Sequence, residues 1–125
     1  MSMESLPYDN KSILKTSRYI TSQCHSLQSQ MNKSFKYTLG DGLSKASCDL
    51  TESIYLALDE DIESENKIIK IQEIKKNIFK LLVKLRVCAD LGQIGGRSHC
   101  DMIQKTLEIK TQADNWLNYI QNKKQ

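Results

Sequence analysis

Arg18 and His25 are separated by six residues, and on a helix they would stand about two turns apart on one face. A guanidinium and an imidazole at that spacing match the pattern of a helical ribonuclease, Arg followed after four to six residues by His. The position after the Arg, where such enzymes carry a polar residue, is Tyr19. In a chain with eighteen bases and two histidines the pattern also arises readily by chance.

Other catalytic chemistries find less support. The neighbours Cys24-His25 and His99-Cys100 offer metal-ligand types, but adjacent helical residues point about 100° apart and could share an ion only where two helices converge. Cys24, Cys48, Cys88 and Cys100 form no CxxC pair, which leaves neither a zinc ribbon nor a thioredoxin motif, and they read as small buried hydrophobes. A carboxylate-bridged di-metal bundle needs Glu-x-x-His on facing helices, and no such motif is present. Gly92, Gly95 and Gly96 lack the Lys-Ser/Thr and the preceding strand of a phosphate loop. The expectation is a non-enzyme without metal or cofactor.

Charge is the more informative chemistry. The net charge of +3 conceals an asymmetry, because residues 59–65, DEDIESE, carry five of the fifteen acids. Elsewhere ten acids face eighteen bases, a balance suited to a polyanionic partner. Lys76, Lys80 and Lys84 recur every fourth residue, with Lys67 and Lys70 upstream and Arg86 downstream, and Lys11, Lys15 and Arg18 lie near the start of the chain. These residues are the candidate contacts to RNA, DNA or a protein partner.

The elements that must position them are helices. Ile13, Ile20, Cys24, Leu27 and Met31 predict a first helix from Ser12 to Lys33; Leu39, Leu43, Ala46, Leu50 and Ile54 predict a second, ending near Leu58. Ile71, Ile74, Ile78, Leu81, Leu82, Leu85 and Ala89 line a third, from about Glu65 to Leu91, which Ser64 or Asn66 could cap. A fourth runs through Met102, Thr106, Ile109, Ala113 and Trp116 to Ile120, opened by a capping box of Ser98 and Asp101. The fold class is all-α, an antiparallel up-down four-helix bundle over residues 12–121, with an irregular leader at 1–11 and a basic tail at 122–125. No apolar run is long enough to span a membrane and the first residues do not form a signal peptide, so a cytoplasmic location is expected.

Two features of these helices require a partner. Tyr37-Thr38-Leu39-Gly40-Asp41 opens the second helix, with Thr38 as N-cap and Asp41 reaching back; Gly40 and Gly42 each cost roughly 0.8–1 kcal/mol against Ala in a helix, so close approach of another backbone is expected to favour them. The third helix carries a second apolar stripe, Ile69, Phe79, Val83 and Val87, rotated from the first and expected to form an oligomer interface, with the lysine row lying away from both stripes.

The stretches KYTLGDGL and LLVKLRVCADLGQI, with the late Trp116-Leu117, resemble the four-helix-bundle family shared by the accessory variability determinant (Avd) proteins of diversity-generating retroelements and the proteins encoded in intervening sequences of large-subunit ribosomal RNA. The resemblance extends from about Tyr19 to Ile120; its most specific parts are the junction Tyr37 to Asp41 and the residues Leu85, Arg86, Ala89 and Leu91. It implies a homopentameric barrel, nucleic-acid binding through basic surface, association with a reverse transcriptase, and an adaptor role in mutagenic cDNA synthesis rather than catalysis. The added Lys and Arg along the first and third helices favour the Avd branch. The ribosomal intervening-sequence type, with general RNA or DNA binding, is the alternative, and a ribonuclease of the HEPN kind through Arg18 and His25 a further one.

Overall fold

Apolar residues at three- and four-residue intervals produce helices in the expected places. A computed structural model describes residues 6–123; residues 1–5 of the predicted leader and 124–125 of the predicted tail lie outside the described residues. The elements are α1 (Ser12–Ser29), a single turn α2 (Lys33–Lys36), α3 (Leu39–Asp59), α4 (Asn66–Asp90) and α5 (Gly96–Lys123), with no strand among the described residues. The long helices close a ring in the order α1, α3, α4, α5, which places α1 and α4 diagonally across the core. Leu14, Ile20, Leu50, Ile54, Ile74, Leu81, Leu85 and Ile109 are fully buried at its centre, each worth roughly 1.5–3 kcal/mol of apolar burial.

Between α1 and α3 the contact is made by small polar side chains. Ser17 and Thr51 share a hydroxyl hydrogen bond, Thr21 Oγ1 lies 3.0 Å from Thr51 Oγ1, and Ser47 is buried beside them. The pairs Tyr55–Asp9, Thr51–Ser17 and Ser44–Gln28 show residue numbers rising along α1 as they fall along α3.

The first helix stops at Ser29, short of the expected Lys33. Gln30 N–H donates to the Leu27 carbonyl and Met31 N–H to that of Gln28, both at 3.1 Å, tightening the last turn so that Met31 swings into the core. The chain then returns through α2 to the glycine junction. Thr38 occupies the N-cap position of α3, but the expected capping box is not formed: its hydroxyl donates to the Phe35 carbonyl, and Asp41 accepts instead from Gln28. Gln28 is the hub, its Nε2 donating to the Lys36 carbonyl at 2.8 Å and to Asp41 Oδ1 at 2.6 Å while its Oε1 accepts from Ser44 Oγ at 2.6 Å. Gly40 makes the room, for side chains rather than the expected backbone, since a Cβ there would stand 2.7 Å from Gln28 Cγ and 3.2 Å from Met31 Sδ. Gly42 is different: a Cβ would meet only Lys84, at 3.6 Å, an ordinary contact.

At the other end of α3 the organising group is a buried lysine. Lys67 does not belong to the basic ridge in which its spacing placed it; its Nζ donates to the carbonyls of Ala57 at 2.7 Å and Glu60 at 2.9 Å and lies 4.8 Å from the Trp116 ring centroid. The last carbonyls of α3 lack helical partners and carry the negative end of the dipole, so an ammonium satisfies both needs. Burial pushes the Lys67 pKa down, against the opposing pull of Glu60, Asp61 and Asp59.

The other helix ends follow local chemistry. Ser64 Oγ accepts from the Asn66 N–H at 3.1 Å at the start of α4. Gly92 ends it with φ 70°, in the left-handed region that favours glycine, while Gln93 N–H closes on the Cys88 carbonyl at 2.8 Å. The capping box expected of Ser98 and Asp101 is absent because α5 begins earlier, at Gly96, leaving Ser98 inside the helix and Asp101 accepting from the Tyr19 hydroxyl at 3.0 Å.

The two glycines should therefore respond with opposite signs. Gly42→Ala should stabilise by about 0.5–1 kcal/mol through helix propensity, whereas Gly40→Ala should destabilise by about 1 kcal/mol or more because overpacking at Gln28 outweighs that gain, both read from urea midpoints. Lys67→Met should cost about 1–3 kcal/mol by leaving two helix-end carbonyls without their donor, and fluorescence of Trp116, the chain's single tryptophan, should report the change in its surroundings.

Candidate nucleic-acid interface

The outward surface of α4 carries both features singled out in the sequence, on one face. At about 100° per residue, Ile69, Lys76, Lys80, Val83 and Val87 project within a sector of roughly 60°, with Phe79 at one edge and Lys84 at the other. Phe79 is 67% exposed and Ile69 60%, and Val83 and Val87 are also exposed. The expectation that the lysine row would lie away from the apolar stripe is corrected here. Residues four apart drift only about 40° around a helix, so the rows 76-80-84 and 79-83-87 run side by side as adjoining ridges. Phe79, Lys80, Val83 and Lys84 line a single groove with Gly42, Lys45, Ala46 and Asp49 of α3 and the buried Asn77, about 450 Å³ in volume.

The cations of this region differ in what neutralises them. Lys110 of the same helix and Lys75 of α4 both reach Asp114 at 2.9 Å and hold that carboxyl below its usual range, and Lys75 thereby bridges α4 to α5. Lys45 pairs with Asp49 at 2.7 Å, a hydrogen bond that raises its pKa, and Arg86 pairs with Asp90 at 3.2 Å. Among the described residues Lys76, Lys80 and Lys84 form no ion pair and are exposed. The Lys84 stem packs over Gly42, 3.6–3.9 Å from where a Cβ would sit. The bare surface of Gly42 thus serves a lysine rather than a neighbouring backbone. Lys45 and Asn77, part of the groove wall, carry no signal in the sequence because their place depends on how α3 meets α4.

Lys15 and Arg18 on α1 and Lys11 at its N-cap are exposed, and α1 lies diagonally opposite α4. Within one chain they do not join the α4 lysines into one patch; Lys15 instead lines a groove with Tyr19, Asp101 and Lys105. At the junction Tyr37 and Thr38 are exposed, Leu39 is half-buried and Gly40 is buried. Arg18 and His25 are both exposed, and neither forms a side-chain hydrogen bond or ion pair among the described residues. No group of three His, Cys, Asp or Glu among the described residues is arranged to hold a metal ion.

The cysteines divide. Cys24 and Cys88 are buried hydrophobes as expected, and burial pushes the Cys24 thiol up to about 12 and the Cys88 thiol upward as well. Cys48 and Cys100 are exposed, against expectation, because each sits on the outer side of its helix. A thiol reagent at neutral pH should label Cys48 and Cys100 in the folded protein and reach Cys24 and Cys88 only on unfolding, as peptide mapping by mass spectrometry would show. Set beside known proteins, the chain matches no protein-family model and no curated protein.

Proposed function

We propose that this chain is a non-catalytic adaptor that binds RNA or DNA, with low sequence preference, through the outer face of α4. The observation that carries the reading is the groove in which Lys80 and Lys84, without an ion pair among the described residues, stand beside the exposed ring of Phe79. Proteins that hold single strands without sequence preference combine cations that track the phosphates with an aromatic ring on which a base stacks. Lys76, Lys80 and Lys84 rise about 6 Å from one to the next along the helix, whereas Arg86 projects beyond the Phe79 edge of the face and is paired with Asp90. Lys11, Lys15 and Arg18 would contribute from another side of the molecule or from a second copy.

The finer reading follows the resemblance. The chain is an up-down antiparallel bundle, a reading supported by the opposed residue order of α1 and α3. It assembles as a pentamer through Ile69, Phe79, Val83 and Val87, associates in the cytoplasm with a reverse transcriptase, and supports mutagenic cDNA synthesis as the accessory protein of a diversity-generating retroelement. The exposed apolar row on α4 supports self-association, and the absence among the described residues of a helix long and apolar enough to cross a membrane agrees with a partner in solution. Because the apolar and basic rows adjoin, assembly and nucleic-acid binding draw on the same face and are coupled.

Titration of a labelled single-stranded RNA at several salt concentrations tests the core of this reading. Affinity should fall with a slope near −0.7 per phosphate neutralised, and Lys76→Gln/Lys80→Gln/Lys84→Gln should weaken binding and flatten the slope by about 2. Phe79→Ala should cost about 1–3 kcal/mol of affinity with the salt slope unchanged. Binding that does not respond to salt, or that survives the triple change, would overturn the assignment.

A further inference from the structure

Two surfaces of this molecule carry opposite charge that no ion pair among the described residues neutralises, apart from the pull of Asp61 on the buried Lys67 ammonium. One is the lysine row of α4. The other is the segment between α3 and α4, where Asp61, Glu63 and Glu65 are exposed and form no ion pair among the described residues, with Ile62 37% exposed between them. Lys123, whose side chain lines a groove with Glu63 and Glu65, makes no ion pair with either.

The two cannot meet within one chain. Lys80 lies fourteen residues into α4 from Asn66, about 20 Å along the axis. The segment is also tethered, at one end by Lys67 Nζ on the Glu60 carbonyl at 2.9 Å and at the other by Asn66 N–H on Ser64 Oγ at 3.1 Å, while Asp61 Oδ1 accepts from the Glu63 N–H at 3.0 Å. It is held as a short acidic projection rather than a strand of chain free to fold back.

We infer that the acidic segment of one copy docks on the α4 face of a second copy, with Asp61, Glu63 and Glu65 on the lysine row and Ile62 against Phe79 and Val83. The match is one of both charge and polarity: an apolar residue flanked by carboxylates meets apolar residues flanked by ammonium groups. The contact joins different surfaces of the two copies, so it is head-to-tail and propagates around a ring or along a chain. It also makes the segment an internal polyanion that occupies the same lysines as nucleic acid. This rests on the reading of that face as a polyanion site and adds its regulation, because phosphates must displace the neighbour's carboxylates and, by linkage, self-association must weaken RNA binding to the same extent that RNA weakens self-association.

A charge exchange tests the contact. Lys76→Glu/Lys80→Glu/Lys84→Glu and Asp61→Lys/Glu63→Lys/Glu65→Lys alter exposed residues, and circular dichroism should show helicity retained in both. In sedimentation velocity at low salt the wild-type chain should self-associate, each variant alone should not, and an equimolar mixture should, since each variant's α4 face complements the other's segment. A wild-type monomer, a segment variant that associates like wild type, or a mixture that stays monomeric would overturn the inference. In a second arm, Asp61→Asn/Glu63→Gln/Glu65→Gln should bind single-stranded RNA roughly tenfold more tightly than wild type. Equal affinity would overturn the competition while leaving the nucleic-acid reading in place. RNA binding by neither protein would sink that reading, and the sedimentation arm would still decide the contact between copies.

Discussion

The architecture depends on one missing atom. Without a Cβ at Gly40, the Gln28 side chain can lie against the first turn of α3, and its amide then ties three segments together: the last turn of α1, the carbonyl end of α2 and the start of α3. A helix that places glycine near its start gives up propensity; here the loss is offset by three hydrogen bonds and by the seat it leaves for Met31. The residues that would otherwise have capped α3 are redirected by the same arrangement. Asp41 serves Gln28, and the dipole end of the helix still has a carboxylate beside it.

The far end of α3 is held by a different device with a similar logic. A helix C-terminus presents carbonyls that need donors, and Lys67 supplies one from the neighbouring helix while its charge rests near the face of Trp116. Desolvating an ammonium costs free energy, which the depressed pKa of Lys67 reflects; two carbonyl acceptors and an aromatic face recover it only when all three converge. With α3 anchored at both ends, and α4 linked to α5 by Lys75 on Asp114, the frame beneath the α4 surface has little freedom to adjust. A face presented on such a frame can hold several weak contacts in register.

That face combines properties that are usually kept apart. Exposed lysines keep surfaces soluble, and exposed apolar residues draw copies together. Interleaving them produces a surface that attracts a polyanion at long range and offers a ring and aliphatic side chains at short range. Charge sets the approach and the orientation more than the final affinity, so the apolar row decides how long a partner stays. The acidic turn that precedes α4 has the complementary composition, exposed carboxylates around the exposed side chain of Ile62.

The helices were legible in the sequence because burial imposes a period that composition alone can carry: Ile71, Ile74, Ile78, Leu81 and Leu85 are buried where their spacing placed them. The candidate lysines and the second apolar row were legible for the same reason, as positions on a helix. Their adjacency was legible too, since it follows from a drift of about 40° per four residues; which rows reach solvent was not, because the neighbours α3 and α5 decide it. Lys67 shows the limit most clearly. Its spacing fits a surface ridge, yet it is buried, because the carbonyls it satisfies belong to the end of another helix. Likewise Thr38 and Asp41 have the types and spacing of a capping box, and only the proximity of Gln28 across the α1–α3 contact diverts them. Local sequence determines propensity and period; partners distant along the chain, brought near by packing, decide which donor meets which acceptor and which charges are left exposed.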